Sequence, residues 1–280
     1  MKKITPFILL IVLAAGCKKE KSVDTGDFSP IFIGNNCRIS QVLTVDSLTG
    51  IGFAAHNAFF NASFNPVGTE IYDSLSNSLY FASAFVTSGD TTYGSLGEYF
   101  IKDAGGRIKI YKGLDDPADS FSDTVEIKFT YDVAGNLTKK DYYYFGISVP
   151  LFRSTYTYTN GNLTRSVLES VYPTNEVVVD ATAEYYTTQP AKGFLYVFPD
   201  DFLTCTYNLS FNYGNRPANT LKKLTTKIYD AGTLTDSLVT NYKNYKLSRD
   251  NYVLELFAEG DFQDGLGIID GRTKFSYGCK

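Results

Sequence analysis

Tryptophan is absent from this chain, methionine and histidine each occur once, and there are only four cysteines. These counts exclude metal sites built from His or Cys clusters, unless Cys37, Cys205 and Cys279 converge. The single histidine, His56 in GFAAHNAFF, has no Ser or Cys partner in a nucleophile motif such as G-x-S-x-G. We therefore interpret His56 as a hydrogen-bonded strand residue, and we predict no catalytic residue, no metal and no cofactor.

Positive charge is also scarce. The chain has 26 basic and 30 acidic residues, and its formal net charge of −4 becomes two units more negative without Lys2 and Lys3. Outside the first 22 residues there is no cluster of Lys or Arg, whereas binding to nucleic-acid phosphates needs a clustered positive face. Nucleic acid is therefore not expected as a partner.

Long apolar runs are missing, apart from a short one near the N-terminus. Residues 1–17 read MKKITPFILLIVLAAGC, with two lysines, an apolar run from Phe7 to Ala15 and small residues before Cys17. The run is too short to cross a bilayer, which takes roughly 20 residues, and the layout is that of a secretory signal. The alternative to lipidation is an ordinary secreted protein in which Cys17 stands at this position by chance.

The end of the signal, Ala14-Ala15-Gly16-Cys17, resembles the lipobox of bacterial lipoproteins. This resemblance implies cleavage before Cys17, acylation of that residue and stable attachment to a membrane, since several acyl chains anchor a protein firmly. Residues 18–36 are polar and charged, and they predict a flexible tether with a reach of roughly 25 Å. Lys18 follows the cysteine where an inner-membrane retention signal has Asp. We expect a lipid anchor in the outer membrane, facing either the periplasm or the outside.

The remainder, residues 37–280, is predicted to be one all-β domain. Tyr (22) and Phe (21) make up 15% of the chain, and aromatic residues favour strands. In VEIKFTYD, residues 125–132, apolar and polar side chains alternate with a period of two. STYTYT, residues 154–159, alternates in the same way, and no stretch shows a helical period. The pattern predicts half-buried antiparallel strands.

Turn signals separate these strands at intervals. Asn160-Gly161 is a strong hairpin signal, because both residues tolerate a positive φ. A related turn is predicted at 132–136, and weaker copies are predicted at 103–106, at 230–232 and at Tyr213-Gly214-Asn215. One hairpin for each turn gives a meander of roughly 14 to 18 strands. We expect a closed or strongly curved β-barrel, because closure removes exposed edges; the alternative is an open or two-layer sheet.

The turn sequences also carry a family resemblance. Tyr131-Asp132-x-x-Gly135-Asn136-Leu137-Thr138 resembles the YD, or RHS-type, repeat, and residues 156–164 repeat its ending with Thr159 in place of Asp. Together with the lipobox, a Cys near the start of the fold and a terminal Tyr-x-Cys-Lys, these repeats resemble the small YD-repeat-like lipoproteins of Bacteroidetes. That group is a domain of unknown function with a porin-like fold. The resemblance implies a porin-like barrel and brings no catalytic residues.

The cysteines allow one disulfide. Cys37 stands at the start of the folded region and Cys279 at its end, and closure of the sheet would make the first and last strands neighbours. In an oxidising envelope this arrangement allows a Cys37–Cys279 bridge. The alternative is three free thiols in the mature chain.

Two kinds of residue cluster are candidate sites. Asp115, Asp116, Asp119 and Asp123 recur in one loop, but their spacing does not match a calcium-binding EF-hand, so we interpret them as a solvated loop. Asp261, Asp264 and Asp270 are interpreted in the same way. The aromatic run DYYYFG places Tyr142 and Tyr144 on one strand face, where they are candidates for stacking on a ligand. The alternative for these tyrosines is packing within the sheet.

The function expected from the sequence is a non-catalytic binding or structural module, held at the membrane by its lipid anchor. The expected partner is an envelope polysaccharide or an envelope protein. A glycan-active hydrolase using paired carboxylates is one alternative, and an outer-membrane pore is another. Charged side chains on one face of many strands favour a barrel outside the bilayer over a pore.

Overall fold

The computed structural model describes residues 27–28, 32–34, 36–45, 52–72, 78–115, 123–144, 146–200, 206–261, 268 and 271–280. Within these residues, no helix has the length and apolar character needed to cross a membrane. The strands are β1 (Asp27–Phe28), β2 (Cys37–Val45), β3 (Gly52–Phe60), β4 (Pro66–Tyr72), β5 (Leu79–Ser88), β6 (Thr91–Gly94), β7 (Tyr99–Lys102), β8 (Ile108–Leu114), β9 (Thr124–Tyr131), β10 (Leu137–Tyr144), β11 (Phe152–Thr159), β12 (Asn162–Ser170), β13 (Glu176–Pro190), β14 (Asn219–Asp230), β15 (Thr233–Leu247), β16 (Val253–Gly260) and β17 (Gly271–Cys279).

Strands β2 to β17 form a closed antiparallel barrel of 16 strands. Each strand pairs with the next in the chain, and β17 closes the ring by pairing with β2 from Arg272↔Val45 to Cys279↔Cys37. The predicted all-β meander, its closure and the approximate strand number are confirmed, and the open or two-layer sheet does not occur. Closure leaves no free edge in the wall, apart from the short strand β1, which pairs in parallel with the end of β15.

The seam between the first and last barrel strands carries the cysteine pair. Cys37 and Cys279 are direct cross-strand partners, and their sulfur atoms form a disulfide with a Cα–Cα distance of 4.1 Å. The bridge spans 242 positions of sequence and links the two ends of the barrel domain. It is the pairing that closure of the sheet allows.

Tight turns connect the wall strands where the sequence predicts them. Asn160 and Gly161 have φ of 52° and 76°, and Ala231 and Gly232 have φ of 46° and 75°. The turn at 132–136 closes through Asp132, whose carboxylate accepts hydrogen bonds from the amide and side chain of Asn136. These hairpins are confirmed.

One predicted hairpin is wrong. Tyr213-Gly214-Asn215 does not join two wall strands, because it lies in residues 191–218, the connection between β13 and β14. We call residues 191–218 the plug; the structure describes it except for 201–205. Gly214 has a positive φ, as the turn chemistry predicts, but this turn packs against the wall instead of extending it.

The plug lies inside the barrel. Its aromatic rings contact strands on all sides of the ring, which only an interior segment can do. Tyr207 and Phe211 pack against Phe85 of β5, and Phe194 packs against Tyr245 of β15 and Phe275 of β17. Further ring contacts reach β7, β8, β9 and β11, through Phe100, Tyr111, Phe129 and Tyr156.

The inward faces of the wall and the plug together make one hydrophobic core. Alternation along β9 directs Val125, Ile127 and Phe129 inward, and each is at most 7% exposed. In the plug, residues 194–198 (FLYVF) are all buried, which a strand with one solvated face would not allow. A barrel of this strand number is wide enough to hold a water-filled channel, and here the plug supplies the side chains that fill it.

The outer wall from β9 to β17 carries ion pairs, most of them between neighbouring strands. Asp141 of β10 accepts hydrogen bonds from Lys139 and Arg153, and Glu255 of β16 bridges Lys246 and Arg272. Further pairs join Arg165 to Asp180 and Lys243 to Glu259. The side around β3 to β7 is more apolar, with exposed Phe59, Val67, Leu79, Tyr80, Val86 and Tyr93.

The predicted tether is bound to the barrel along part of its length. The backbone of Asp27–Phe28 pairs with Lys246 and Leu247, and the amides of Ile33 and Gly34 donate to the carboxylate of Asp250 at 3.1 and 3.0 Å. These described residues therefore contact the barrel. The reason is that Asp250 and the end of β15 offer hydrogen-bonding partners to the passing backbone.

Candidate functional site

The candidate site is a cleft at one end of the barrel, between the plug and the start of β2. We call this the near end; the disulfide, the entry and exit of the plug and the turns at 103–107, 132–136 and 160–161 all lie here. The cleft has a volume of about 410 Å³. Its described lining has three cationic side chains and no carboxylate: Asn36, Cys37, Arg38, Lys192, Gly193, Tyr196, Phe211, Asn212, Gly214, Asn215, Arg216 and Tyr252.

Arg216 is fixed by the backbone of the plug itself. One nitrogen of its guanidinium donates hydrogen bonds to the carbonyl oxygens of Gly193 and Phe194. The guanidinium also lies 4.4 Å from the ring centre of Tyr196, a cation–π distance. The backbone of the plug therefore fixes the Arg216 guanidinium at the wall of the cleft.

The floor below Arg216 is a hydrogen-bonded turn. The hydroxyl of Tyr196 donates toward the side-chain oxygen of Asn212 and the carbonyl of Gly214, each at 3.2 Å. Tyr196 is 3% exposed, so its ring is part of the core and not a platform for a ligand. Its burial and these hydrogen bonds hold the floor of the cleft in place.

The plug is attached to the wall next to this floor. The amide of Asn215 donates to the carbonyl of Gly135 at 3.0 Å, and the Asn215 side chain donates to the carbonyl of Ala134 at 2.8 Å. Gly214 has a φ of +94°, and a Cβ on it would lie 2.3 Å from the carbonyl oxygen of Gly135. Only glycine fits here, because the turn at 132–136 and the plug meet backbone to backbone.

Arg38 comes from the opposite wall, on β2 directly after Cys37. Its guanidinium lies 5.7 Å from the ring of Phe60 and 5.2 Å from the ring of Phe64. Burial lowers the pKa of Arg38 from its usual value, and the positive charge of Arg216 lowers it further. In the part of the chain that the structure describes, neither Arg38 nor Arg216 forms an ion pair with a carboxylate.

Lys192 completes the cationic lining. Its ammonium lies 4.9 Å from the ring centre of Tyr252, and its amide donates to the carbonyl of Asn251 at 2.8 Å. Gly193 follows with a φ of +63° and lies close to the ring of Tyr252. The entry of the plug is thus held against the turn between β15 and β16, and the lysine stands at the edge of the cleft.

His56 faces the lumen and not the cleft. Its Nε2 lies 3.1 Å from the hydroxyl of Thr69, and the ring also hydrogen-bonds to the backbone of Thr206 in the plug. The His56 side chain is partly exposed to solvent. The surrounding protein nevertheless removes much of its hydration, and this desolvation lowers its pKa to about 4. The ring is therefore neutral at pH 7, and the prediction of a hydrogen-bonded strand residue is confirmed.

The two tyrosines predicted to stack on a ligand share one face of β10, as predicted, and this face points toward the core. Tyr142 points into the core and is 7% exposed, so its ring has no open face. Tyr144 donates from its hydroxyl to Asp115 at 2.6 Å and packs edge-on against Phe152. It lines a second, smaller cleft of about 270 Å³. The two rings do not form an open stacking platform, because the ring of Tyr142 is buried in the core and the ring of Tyr144 packs against the core and Phe152.

Other predicted residues lie outside the described part of the chain. These are the lipidation candidate Cys17, Cys205 and the loop acids Asp116, Asp119, Asp264 and Asp270. Of the described loop acids, Asp261 accepts a hydrogen bond from the amide of Val239 at 2.7 Å, as expected for a turn residue. Among the described residues, no group of three or more His, Cys, Asp or Glu is arranged to hold a metal ion.

Sequence reasoning missed the plug and therefore the cleft. A usable signal is the run FLYVF at 194–198, which is apolar throughout where the neighbouring strands alternate. The distance of 28 residues between β13 and β14, far longer than a hairpin connection, is a second signal. Arg38 and Arg216 are 178 positions apart, so their meeting depends on the closed barrel and the plug.

Two solved structures share this architecture. A porin-like protein from Bacteroides uniformis aligns with a TM-score of 0.58 at 13% identity, covering 86% of this chain and 98% of that chain. A porin-like protein from Bacteroides vulgatus aligns with a TM-score of 0.50 at 12% identity, covering 86% of this chain and 99% of that chain. No protein-family model and no curated protein matches the chain. At these identities the likeness establishes the fold: a closed, porin-like barrel.

Proposed function

We propose that this chain is a lipid-anchored envelope protein of the outer membrane that acts as a non-catalytic binding or structural module. Its partner would be an envelope polysaccharide or an envelope protein. The observation that carries the proposal is the plug: aromatic side chains of residues 191–218 occupy the lumen, so the barrel has a solid core and a recessed cleft at its near end.

The outer wall supports a position outside the bilayer. Asp141, Glu255 and their basic partners lie on the surface that lipid chains would cover in a transmembrane barrel. Inserting a charged residue on the lipid-facing side of a strand costs up to about 2–4 kcal/mol at the bilayer midplane. Transmembrane barrels therefore usually present an uninterrupted apolar belt to the lipid. The alternative of an outer-membrane pore is therefore disfavoured on both the inner and the outer surface.

The cleft also favours binding over hydrolysis. Glycoside hydrolysis uses two carboxyl groups, one on each side of the scissile bond. The described lining of the cleft has none. Cationic side chains held by a rigid floor are suited to recognition of a ligand, which requires no bond to break.

The lipid anchor would orient the molecule. If Cys17 is acylated, the chain from Cys17 to Asp27 spans at most about 35 Å, and Asp27 pairs with the barrel at the near end. The near end would then stand toward the membrane. The cleft would then lie within reach of material close to the outer membrane.

The relation to the YD-repeat-like lipoproteins of Bacteroidetes is part of the same proposal. It is supported by two turns of similar construction, in which Asp103 and Asp132 each accept a hydrogen bond from the amide four residues later. The hydroxyl of Tyr131, the tyrosine of the repeat, donates to the carbonyl of Ile108 on the neighbouring strand at 2.7 Å. These contacts give the Tyr-Asp pair a structural role in a hairpin.

The test compares the full chain with a Cys17→Ser variant in cells, followed by carbonate washing of the membranes. The proposal expects the wild-type chain in the membrane fraction, and the variant either released in folded form without detergent or left as an uncut precursor. A processed variant that stays in the membrane after carbonate washing would contradict anchoring. Step conductance of the purified wild-type chain in a planar bilayer would contradict the plugged barrel.

Binding is tested on the same proteins. The released variant, or the wild-type chain in neutral detergent, is sedimented with insoluble envelope polysaccharide and is cross-linked in intact cells to capture protein neighbours. The proposal expects specific retention in at least one of the two experiments. Failure in both would contradict the binding role.

A further inference from the structure

We propose that the near-end cleft is a binding site for the acidic group of an envelope polysaccharide: a carboxylate, sulfate or phosphate held between Arg38 and Arg216. The inference rests on the proposed binding role and gives it a site and a ligand chemistry. The cleft is lined by Arg38, Lys192 and Arg216, with no carboxylate in its described lining.

Two guanidinium groups facing one cleft are suited to an oxyanion. Each guanidinium is planar and presents several N–H donors in a fixed fork, a geometry that matches the oxygens of carboxylate, sulfate or phosphate. Arg216 uses one of its nitrogens for the two plug carbonyls. Among the described residues, the guanidinium of Arg38 contacts the rings of Phe60 and Phe64 and donates no hydrogen bond. Both groups thus keep donors available for a ligand.

Among the described residues, neither Arg38 nor Arg216 is paired with a carboxylate. Elsewhere in the described chain, arginines on the wall are paired: Arg153 with Asp141, Arg165 with Asp180 and Arg272 with Glu255. Arg38 and Arg216 instead line the same cleft, and the positive charge of Arg216 lowers the pKa of Arg38. Binding an anion between them would remove this repulsion, which makes the pair a receptor for negative charge.

The site is held in place before any ligand arrives. Arg38 follows the disulfide-bonded Cys37 on β2, and Arg216 is tied to the backbone of the plug. The plug in turn is joined to the wall through Asn215 and Gly135. A ligand therefore needs to order little of the protein, and an ordered site loses less free energy on binding than a mobile one.

The shape of the cleft favours a sugar residue over a membrane surface. The nearly buried Tyr196 and Tyr252 line the cleft, and its volume of about 410 Å³ is in the range of small-ligand sites. A flat anionic bilayer is instead recognised by basic side chains that protrude together. The ends or branches of an acidic polysaccharide can enter such a cleft.

The experiment is calorimetric titration of the full chain in neutral detergent with four probes. They are a galacturonate trimer, a sulfated disaccharide, lactose as the neutral control, and dihexanoylphosphatidylglycerol as a soluble anionic lipid. We expect saturable binding of at least one acidic saccharide, no binding of lactose, and weakening by added salt. Arg38→Gln and Arg216→Gln should each weaken the affinity tenfold or more.

The matched control is Arg165→Gln, which removes the same charge from the outer wall, where Arg165 pairs with Asp180. It should leave the affinity within about twofold of wild type, because charges at this distance are largely screened. Arg216→Lys is a second variant for the plug, since it keeps the charge if Arg216→Gln fails to fold. It should bind more tightly than Arg216→Gln and less tightly than wild type.

Each remaining outcome contradicts the site. Absence of saturable binding to both acidic saccharides would overturn it, and so would equal weakening by Arg165→Gln. Binding of the lipid probe alone would assign the cleft to a lipid headgroup and overturn the choice of polysaccharide. If the acidic probes fail while the chain still sediments with envelope polysaccharide, the proposed function stands and only this site is wrong.

Discussion

The wall and the plug of this barrel are built on different principles. Apart from the β17–β2 seam, each wall strand pairs with its neighbours in sequence, so its hydrogen bonds form between residues at most a few tens of positions apart. The plug instead makes its contacts with strands from β3 to β17, among them Thr206 with His56 and Phe194 with Phe275. The difference teaches that a repetitive, locally encoded wall specifies a ring, and that a single irregular insertion determines what the ring can do.

Tyrosine illustrates the regularity of the wall. Tyr131, Tyr245 and Tyr277 each donate from the hydroxyl to a backbone carbonyl on the preceding strand, 23 or 24 positions earlier. These bonds tie each hairpin to the one before it and satisfy buried hydroxyls that would otherwise lose hydration. No such period exists in the plug, whose tyrosines contact whichever strand lies opposite.

The largest expected effect comes from removing a ring at the interface of plug and wall. Phe211 of the plug stacks on Phe100 of β7 with ring centres 3.9 Å apart, and Phe211 is 3% exposed. Phe211→Ala should lower the free energy of unfolding by about 3–5 kcal/mol, through lost burial and the cavity left behind. Denaturant unfolding measures it. Phe59→Ala, at a wall ring that is 44% exposed, is the control and should cost less than about 1 kcal/mol. Equal losses would mean that the plug does not stabilise the barrel.

A second comparison concerns two glycines with similar backbone conformation. Gly214→Ala places a Cβ against the carbonyl of Gly135, whereas Gly232→Ala, in the β14–β15 turn, meets nothing within 4 Å. Both substitutions carry the cost of a positive φ, about 1 kcal/mol. Only Gly214→Ala adds the steric overlap, so its loss of stability should reach about 2–4 kcal/mol. A Gly214→Ala loss no larger than that of Gly232→Ala would show that plug and wall do not meet there.

The third prediction uses pH to probe the contact between wall and plug. In the unfolded chain the His56 imidazole has a pKa near 6.5, and burial lowers it to about 4 in the folded state. As pH falls below 6.5, the unfolded chain binds the proton first. The free energy of unfolding therefore decreases from pH 6.5 down to about 4, by about 2 kcal/mol at pH 5.

His56→Gln is the control for this pH dependence, because His56 is the only histidine. Unfolding midpoints at pH 7 and pH 5 should converge in the variant, apart from the contribution of carboxylates at the lower pH. An unchanged difference between the two pH values would mean that His56 titrates normally in the folded protein.

The smallest effect is expected on the outer wall. Burial alone would raise the pKa of Glu255, but its hydrogen bonds and charge interactions with Arg272 and Lys246 outweigh burial and lower it. Glu255→Gln should cost about 0.5–1 kcal/mol at low salt and less at high salt. Glu184→Gln is the control, since its pair with Lys222 is exposed and 4.0 Å long, and it should have almost no effect. A salt-independent loss for Glu255→Gln would point to packing instead of charge.

The wall could be predicted from the sequence, because the patterns that specify its strands and turns are local. Alternation in VEIKFTYD and the Asn160-Gly161 turn act within about ten residues, and each hairpin they predict is present. Closure followed from the cost of exposed sheet edges, a general property of long meanders. The position of the cysteines at both ends then made their juxtaposition at the seam understandable.

The plug and the cleft could not be predicted from the sequence, because they depend on contacts between residues far apart in the chain. Tyr213-Gly214-Asn215 has the turn chemistry of a hairpin, and it does form a turn. Packing against Gly135, and not the local sequence, determines that this turn lies in the plug and does not join two wall strands. In the same way, the alternation that groups Tyr142 with Tyr144 does not say which face is inward. Arg38 and Arg216 gain their shared environment only when the ring is closed and filled.

Hydrogen exchange of the native full chain is the measurement that tests the central claim most directly, since the claim is that the plug is a folded part of the barrel interior. Peptides from 191–200 and 206–218 contain amides bonded to the core, such as Tyr196 to the side chain of Asn208, and Asn215 to Gly135. The account predicts that these amides exchange as slowly as those in β15 and β16. Exchange of the plug within seconds, as fast as the exposed turn at 231–232, would contradict a plugged barrel and leave the lumen open.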